Sequence, residues 1–291
     1  MNEFEFSKYQ GLGNDFIIID ARKIQIAQSI KKITPKVIQK LCQRNFGVGA
    51  NGIIFILASE IDCDMKMRIV NSDGTEAEMC GNGIRCLIKY LFDNNYVSKS
   101  YDKRVNVETL SGVIKAEYND NGEIKVDMGL PIFNPMNIPT KLDMGNYGIS
   151  QGTIELDNRN IDVYSVGMGN PHLITYVEDL DVVKIEEWGP SLENNSLFPL
   201  RTNVHFVKLI DSQSIEVLVW ERGCGRTYAC GTGACACAVT SMKLNLCKNE
   251  VEVKLEGGLL NIDWQGEDVP VFMTGEAKLV YKGKFSLEYS A

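Results

Sequence analysis

Two segments of this chain, MCGNGIRC at residues 79–86 and ACGTGACAC at 229–237, place a cysteine before a Gly-polar-Gly turn and a helix-like run. Cys80 and Cys230 stand 150 positions apart, and so do Asn71 and Glu221, each at the end of an expected strand. Asn51 and Asn203, both before apolar strands, are 152 apart, and Asn14 and Asn170, both after a glycine, are 156 apart. Four landmarks in one order at nearly one offset imply two similar halves facing each other across a cleft. This is a two-copy duplication; a solenoid would repeat at a far shorter period.

The local patterns fit mixed α and β structure. EFEFSKYQGLGNDFIIID reads as strand, glycine turn, strand. TPKVIQKLCQRNFG reads as a short helix, with Thr34 capping, Pro35 in the first position and Gly47 after the end. GIIFILA and CDMKMRIVN are strands, and from Gly81 the apolar residues Ile84, Leu87, Ile88 and Leu91 take helical spacing. Strands RVNVETL, VIKAEYN and EIKVDMG follow, the last two joined through Asp120-Asn121-Gly122. Residues 129–150 carry three prolines and no periodicity, which marks a domain junction. The order then recurs: strands up to VGMGNPHLITYV, a helix around 181–193, strands VHFVKL and SIEVLVWERG, a small-residue helix from Gly231, and closing strands. The expected domains are 1–130, carrying Cys80, and 131–275, carrying Cys230, with a last strand at about 276–291 returning to the first.

With 291 residues, 44% of them hydrophobic, the chain can bury a core without disulfides. A net charge of −8 argues against nucleic acid, which needs clustered Lys and Arg. The start, MNEFEFSKYQ, is not a secretory signal, and no apolar run approaches the ~18 residues of a membrane span. A cytoplasmic location is expected, where nine cysteines remain thiols.

Three readings compete for the cysteine motifs: metal ligands, a disulfide framework, or a catalytic pair. Structural zinc usually takes CxxC pairs or close Cys and His ligands. Here Cys80 and Cys86 are six apart, Cys230 and Cys235 five apart, and the two histidines are His172 and His205. No metal is therefore assigned. The glycines suit the third reading. They let backbone approach a ligand, and a helix N-terminus offers free N–H groups that bind a carboxylate and favour a thiolate. Two thiols beside one carboxylate could invert an amino-acid α-carbon, one as base and the other as acid, with the developing charge met by both helix ends. Cys86, Cys235 and Cys237 fall inside helices and read as buried packing residues, as do Cys42, Cys63 and Cys247; Cys224, in the loop ERGCGRT, is left open between burial and exposure. His205, within a strand, reads as structural.

These residues, with GLGNDF, NSDGTEAEMCGNG, GNPH, TNV and ERG, closely resemble diaminopimelate epimerase over most of the chain. The resemblance implies an α+β fold of two pseudo-symmetric α/β-type halves. Each would be a curved, mostly antiparallel sheet around a central helix, with the active site in the interdomain cleft. It implies epimerisation of LL-2,6-diaminopimelate to the meso isomer without pyridoxal phosphate or another cofactor, in lysine and peptidoglycan precursor synthesis, by a likewise implied homodimer. Cys80 and Cys230 resemble the two bases. Gly81 with Asn82, and Gly231 with Thr232, resemble the carboxylate cradles. Asn14, Asn71, Asn170 and Asn203 resemble substrate-binding asparagines. Arg222 would grip the far carboxylate, where a guanidinium binds bidentately. Glu221 would hold an ammonium, and His172 and Glu221 resemble residues that tune the thiols. Asn51 and Gly52 depart from the family pattern, so no contact is assigned there. Arg226 and Cys224 lie in a variable part of the ERG loop. Alternative readings are a racemase or epimerase of another amino acid (of proline, hydroxyproline or histidine type), a cofactor-free isomerase of other substrates, and a non-catalytic thiol or metal protein.

Overall fold

Strands and Gly turns alternate along the chain, and both Cys-Gly motifs open helices. The computed structural model describes residues 3–97 and 103–287. Its contacts divide it into two units: the described residues through Val126 together with those from Gly275 onward, and Asp127–Thr274.

In the first unit the C-terminal strand Lys278–Ser286 runs antiparallel to Glu3–Gly11, which pairs antiparallel with Asn14–Asp20. Asn14–Asp20 lies parallel to Gly52–Leu57, with Ile17 opposite Ile53. Gly52–Leu57 pairs antiparallel with Met65–Asn71, and the latter is parallel to Arg104–Thr109. Gly112–Tyr118 and Ile124–Asp127 continue antiparallel. Parallel neighbours need a long crossover. The first crossover contains the helices Ile24–Ser29 and Pro35–Cys42, and the second is the motif helix Gly81–Asp93.

The second unit repeats this plan. Ser150–Leu156, Arg159–Gly167 and Pro171–Tyr176 are successively antiparallel. Pro171–Tyr176 is parallel to Asn203–Asp211 across the helix Ile185–Glu193. Asn203–Asp211 is antiparallel to Ser214–Glu221, which is parallel to Glu250–Leu255 across the motif helix Gly231–Lys243. Gly258–Asp263 and Phe272–Gly275 close the series. Lys278–Ser286 thus takes in the first unit the place that Ser150–Leu156 holds in the second.

Both motif helices are buried over most of their length, although Gly81–Asp93 carries a polar stripe of Asn82, Arg85, Lys89 and Asp93. A helix with nearly all of its residues buried must sit inside its unit. Gly81–Asp93 does so with bulky Ile84, Leu87, Ile88 and Leu91, all 0% exposed, against strands that include Glu3–Gly11 and Gly112–Tyr118. Gly231–Lys243 uses Ala and Cys instead, and its thin body touches six strands from Arg159–Gly167 to Gly258–Asp263. The apolar run GIIFIL is a central strand buried on both faces.

Three local expectations need correction. The helix after Thr34 ends at Cys42, well before Gly47, although Thr34 Oγ1 does accept from Val37 N. The helix expected from 181 begins at Ile185. Cys63 and Cys247 lie outside helices and strands and are half-buried, not core residues. Among the described residues no helix is long and apolar enough to cross a membrane.

Candidate active site

Each motif cysteine is the N-cap of its helix. Cys80 (φ −146°, ψ 116°) and Cys230 (φ −122°, ψ 113°) have extended backbones, and each turns its sulfur over the first helical turn. The Gly83 amide donates to Cys80 Sγ and the Gly233 amide to Cys230 Sγ, both at 3.4 Å. A sulfur held by a helix-terminal N–H is favoured as thiolate by the helix dipole. Cys80 is half-buried and Cys230 is buried. The remaining motif cysteines differ: Cys86, Cys235 and Cys237 are 0% exposed, and burial pushes the Cys86 and Cys237 thiols up. Cys224 is exposed.

In the first unit Gly81 and Asn82 are buried, and Asn82 Oδ1 accepts from Arg85 Nη2 at 2.9 Å. Asn71 Nδ2 donates to Thr75 Oγ1 at 3.1 Å in the turn before Cys80. Asn14 follows Gly13, whose φ of +83° is a left-handed turn suited to glycine. Asn14 Oδ1 is buried, and no hydrogen-bond partner for it is present among the described residues. A buried acceptor of this kind calls for a partner. Asn51 has a clasping role instead: its Oδ1 accepts from Asp15 N, and its own N–H donates to Asp15 Oδ1, both at 3.1 Å. Burial alone would raise the Asp15 carboxyl, but Arg44 and Lys8 hold it below the usual range.

The second unit gathers more polar chemistry. Thr227 Oγ1 donates to Glu221 Oε1 at 2.6 Å. Burial pushes the Glu221 carboxyl up, and hydrogen bonds from Thr227 and Cys230 partly offset this. Glu221 and Cys230 therefore meet. Thr232 Oγ1 lies 3.5 Å from Cys230 Sγ. Asn203 is buried: its Nδ2 donates to Pro171 O at 2.9 Å, and its Oδ1 accepts from Arg222 N at 3.0 Å. The Arg222 guanidinium donates to Leu200 O at 3.0 Å.

Asn170 follows Gly169, whose φ of +81° matches Gly13. Its Oδ1 lies 2.8 Å from His172 Nε2, and His172 Nδ1 lies 2.8 Å from His205 Nε2. Both rings are fully buried. Burial lowers the His172 pKa, helped by His205 and Arg222, and lowers His205 to about 3, so both are neutral. His205 Nδ1 is buried with no partner among the described residues. A bare buried lone pair is tolerated better than an orphaned N–H. The chain therefore runs from His205 Nε2–H to His172 Nδ1, and from His172 Nε2–H to Asn170 Oδ1. His205 also packs on the motif helix: a β-carbon at Gly233 would stand 2.3 Å from its Cε1. His205 is thus tied to both His172 and the Cys230 turn, a connection its place in a strand did not reveal. Thr227 and Asp15 were likewise not singled out from sequence.

Among the described residues no group of three His, Cys, Asp or Glu side chains is arranged to hold a metal ion. The family model of diaminopimelate epimerase matches residues 6–133 and 164–280. The diaminopimelate epimerase of Prochlorococcus marinus strain NATL1A is 49% identical over 97% of this chain and 99% of that protein. Among solved structures, a phenazine biosynthesis protein of the PhzF family from Bacillus anthracis superposes with TM-score 0.70 at 18% identity, covering 98% of this chain and 99% of that one. A hydroxyproline epimerase from Agrobacterium vitis also gives 0.70, at 12% identity, covering 98% and 93%. At these identities the two structures show the fold alone.

Proposed function

We propose that this chain, which belongs to the diaminopimelate epimerase family, interconverts LL- and meso-2,6-diaminopimelate by a two-thiol mechanism. One sulfur, as thiolate, removes the α-proton, and the other, as thiol, delivers a proton to the opposite face of the same carbon. Reversal exchanges their roles. The observation that carries this reading is the matched pair of capping cysteines, each with its sulfur on the third helical amide at 3.4 Å. One such turn would be an ordinary cap; the same turn in both units of a duplicated fold supplies one base and one acid of the same kind.

The helix starts at Gly81-Asn82 and Gly231-Thr232 bind the reacting carboxylate through their free N–H groups and stabilise the charge that develops as the α-proton leaves. Asn14, Asn71, Asn170 and Asn203 line the substrate, and the unpartnered Asn14 Oδ1 supports this. Arg222 grips the second carboxylate and Glu221 an ammonium. Glu221 also touches Cys230, so its charge acts on that thiol. His172 acts on the site through Asn170. Closure over the substrate excludes water and strengthens these interactions. The chemistry needs no pyridoxal group. A homodimer in the cytoplasm, serving lysine and peptidoglycan precursor synthesis, completes the reading by family resemblance.

Incubation in deuterated water with a panel of diaminopimelate, proline, hydroxyproline and histidine tests the substrate. Label should enter the α-position of diaminopimelate. Label entering another amino acid faster would assign the chain to a different racemase.

A further inference from the structure

Glu193 ends the helix Ile185–Glu193 and is 6% exposed. Its carboxylate receives three hydrogen bonds: Oε2 from Trp220 Nε1 at 2.8 Å, and Oε1 from Gly223 N at 3.0 Å and Arg201 Nη1 at 3.1 Å. Trp220 and Gly223 bracket Glu221 and Arg222, and Cys224 N closes the turn onto Glu221 O at 3.0 Å. Arg201 follows Leu200, whose carbonyl accepts from the Arg222 guanidinium. One carboxylate therefore holds both the backbone that carries Arg222 and the segment on which its side chain rests. The support is closely packed. A β-carbon at Gly189 would stand 2.5 Å from the Trp220 ring, so the helix lies directly on the indole. Arg201 has φ +59°, a left-handed backbone that non-glycine residues rarely adopt.

We propose that Glu193 is the positioning residue of the turn after Glu221, fixing the direction in which the Arg222 side chain is offered to substrate. It acts through the turn and does not itself touch the substrate. The chemistry at this point calls for a carboxylate. Three N–H donors converge on it, and a glutamine would turn an NH2 group toward at least one of them. The inference rests on the reading of Arg222 as the grip on the second carboxylate.

The test is Glu193→Gln in the full chain, with hydrogen exchange of the amides at 221–224 and the kinetics of diaminopimelate epimerisation. Exchange should quicken at Gly223. KM should rise roughly tenfold or more, as for loss of a buried hydrogen bond to charge, while kcat falls far less. A general loss of structure would not give that split. Should the variant fail to fold, Glu193→Asp, which keeps the charge but withdraws it by one methylene, carries the same measurements. Wild-type exchange together with wild-type KM overturns the proposal. Arg222→Ala is measured alongside. A KM unmoved by it defeats the reading of Arg222, and the exchange data alone then decide whether Glu193 holds the turn.

Discussion

The two motif helices carry a glycine at the same position, and alanine should behave oppositely at the two. At Gly83 a new β-carbon would stand 3.3 Å from Ile54 Cδ1 and Ile69 Cδ1 and 3.4 Å from Cys80 Cβ. The closest of these are ends of flexible side chains and need yield only slightly. Alanine gains ~0.5–1 kcal/mol of helix propensity, so Gly83→Ala should stay within about 1 kcal/mol of the wild type. At Gly233 the β-carbon would meet His205 Cε1 at 2.3 Å, Nε2 at 2.8 Å and Nδ1 at 3.0 Å. Ordinary carbon contacts lie at about 3.5–4.0 Å, so the ring must move by more than about 1 Å. It has no free space, being fully buried and bonded to His172 at 2.8 Å. Overpacking costs about 1–3 kcal/mol, and disturbing the histidine hydrogen bond adds about 1 kcal/mol. Less the same ~0.5–1 kcal/mol of helix propensity, the expected loss is about 1–3.5 kcal/mol.

Urea unfolding reads this out by unit. All three tryptophans, Trp188, Trp220 and Trp264, belong to the unit that contains Gly233. Their fluorescence should report a lowered midpoint for Gly233→Ala, and far-UV circular dichroism should report a nearly unchanged one for Gly83→Ala. His205→Ala combined with Gly233→Ala should recover part of the loss, because the colliding ring is gone; the coupling should be at least about 1 kcal/mol. Equal losses at the two glycines, or none at Gly233, would refute the packing of His205 on the Cys230 turn.

Acid stability should carry the signature of the buried histidines. The unfolded chain protonates near pH 6.5, while His205 in the fold resists down to about 3. The stability from neutral His205 is whole above pH 6.5 and is lost as pH falls toward 3, by up to ~1.4 kcal/mol per pH unit. His205→Gln should flatten the slope by that amount in urea unfolding at pH 7, 6 and 5, and an unchanged slope would remove His205 from this role. Thr227→Val deletes the hydroxyl that supports the Glu221 carboxylate. If ionised Glu221 binds the substrate ammonium, the acid limb of kcat/KM should move to higher pH by about one unit. An unmoved limb would detach Glu221 from the pH profile.

The parts of the molecule that local pattern writes were open to reading in advance. Ile84, Leu87, Ile88 and Leu91 recur at helical spacing and lie on the helix Gly81–Asp93. The offset between the motifs foretold that whatever Cys80 caps, Cys230 caps too. Other features come from tertiary pairing and leave little local trace. His172 and His205 meet because Pro171–Tyr176 lies parallel to Asn203–Asp211, with His172 opposite Asn203. Glu193 resembles its helix neighbours Glu186 and Glu187 in sequence, and only the approach of Trp220 and Gly223 buries it. The helix Ile24–Ser29 has no capping side chain and a short, strand-like alternation, so nothing announced it. Cys63 and Cys247 show the converse: cysteine composition suggested burial, but both lie outside helices and strands and are partly exposed.

Solvent-deuterium entry at the α-carbon, followed from both LL- and meso-diaminopimelate with the wild type, Cys80→Ala and Cys230→Ala, is the most direct trial of the paired thiols. The wild type should invert the centre and deliver product labelled there. Each variant should fail to invert, because one face of the carbon has lost its acid or base. Inversion by either variant near the wild-type rate, or wild-type product formed without solvent label, would contradict the two-thiol mechanism.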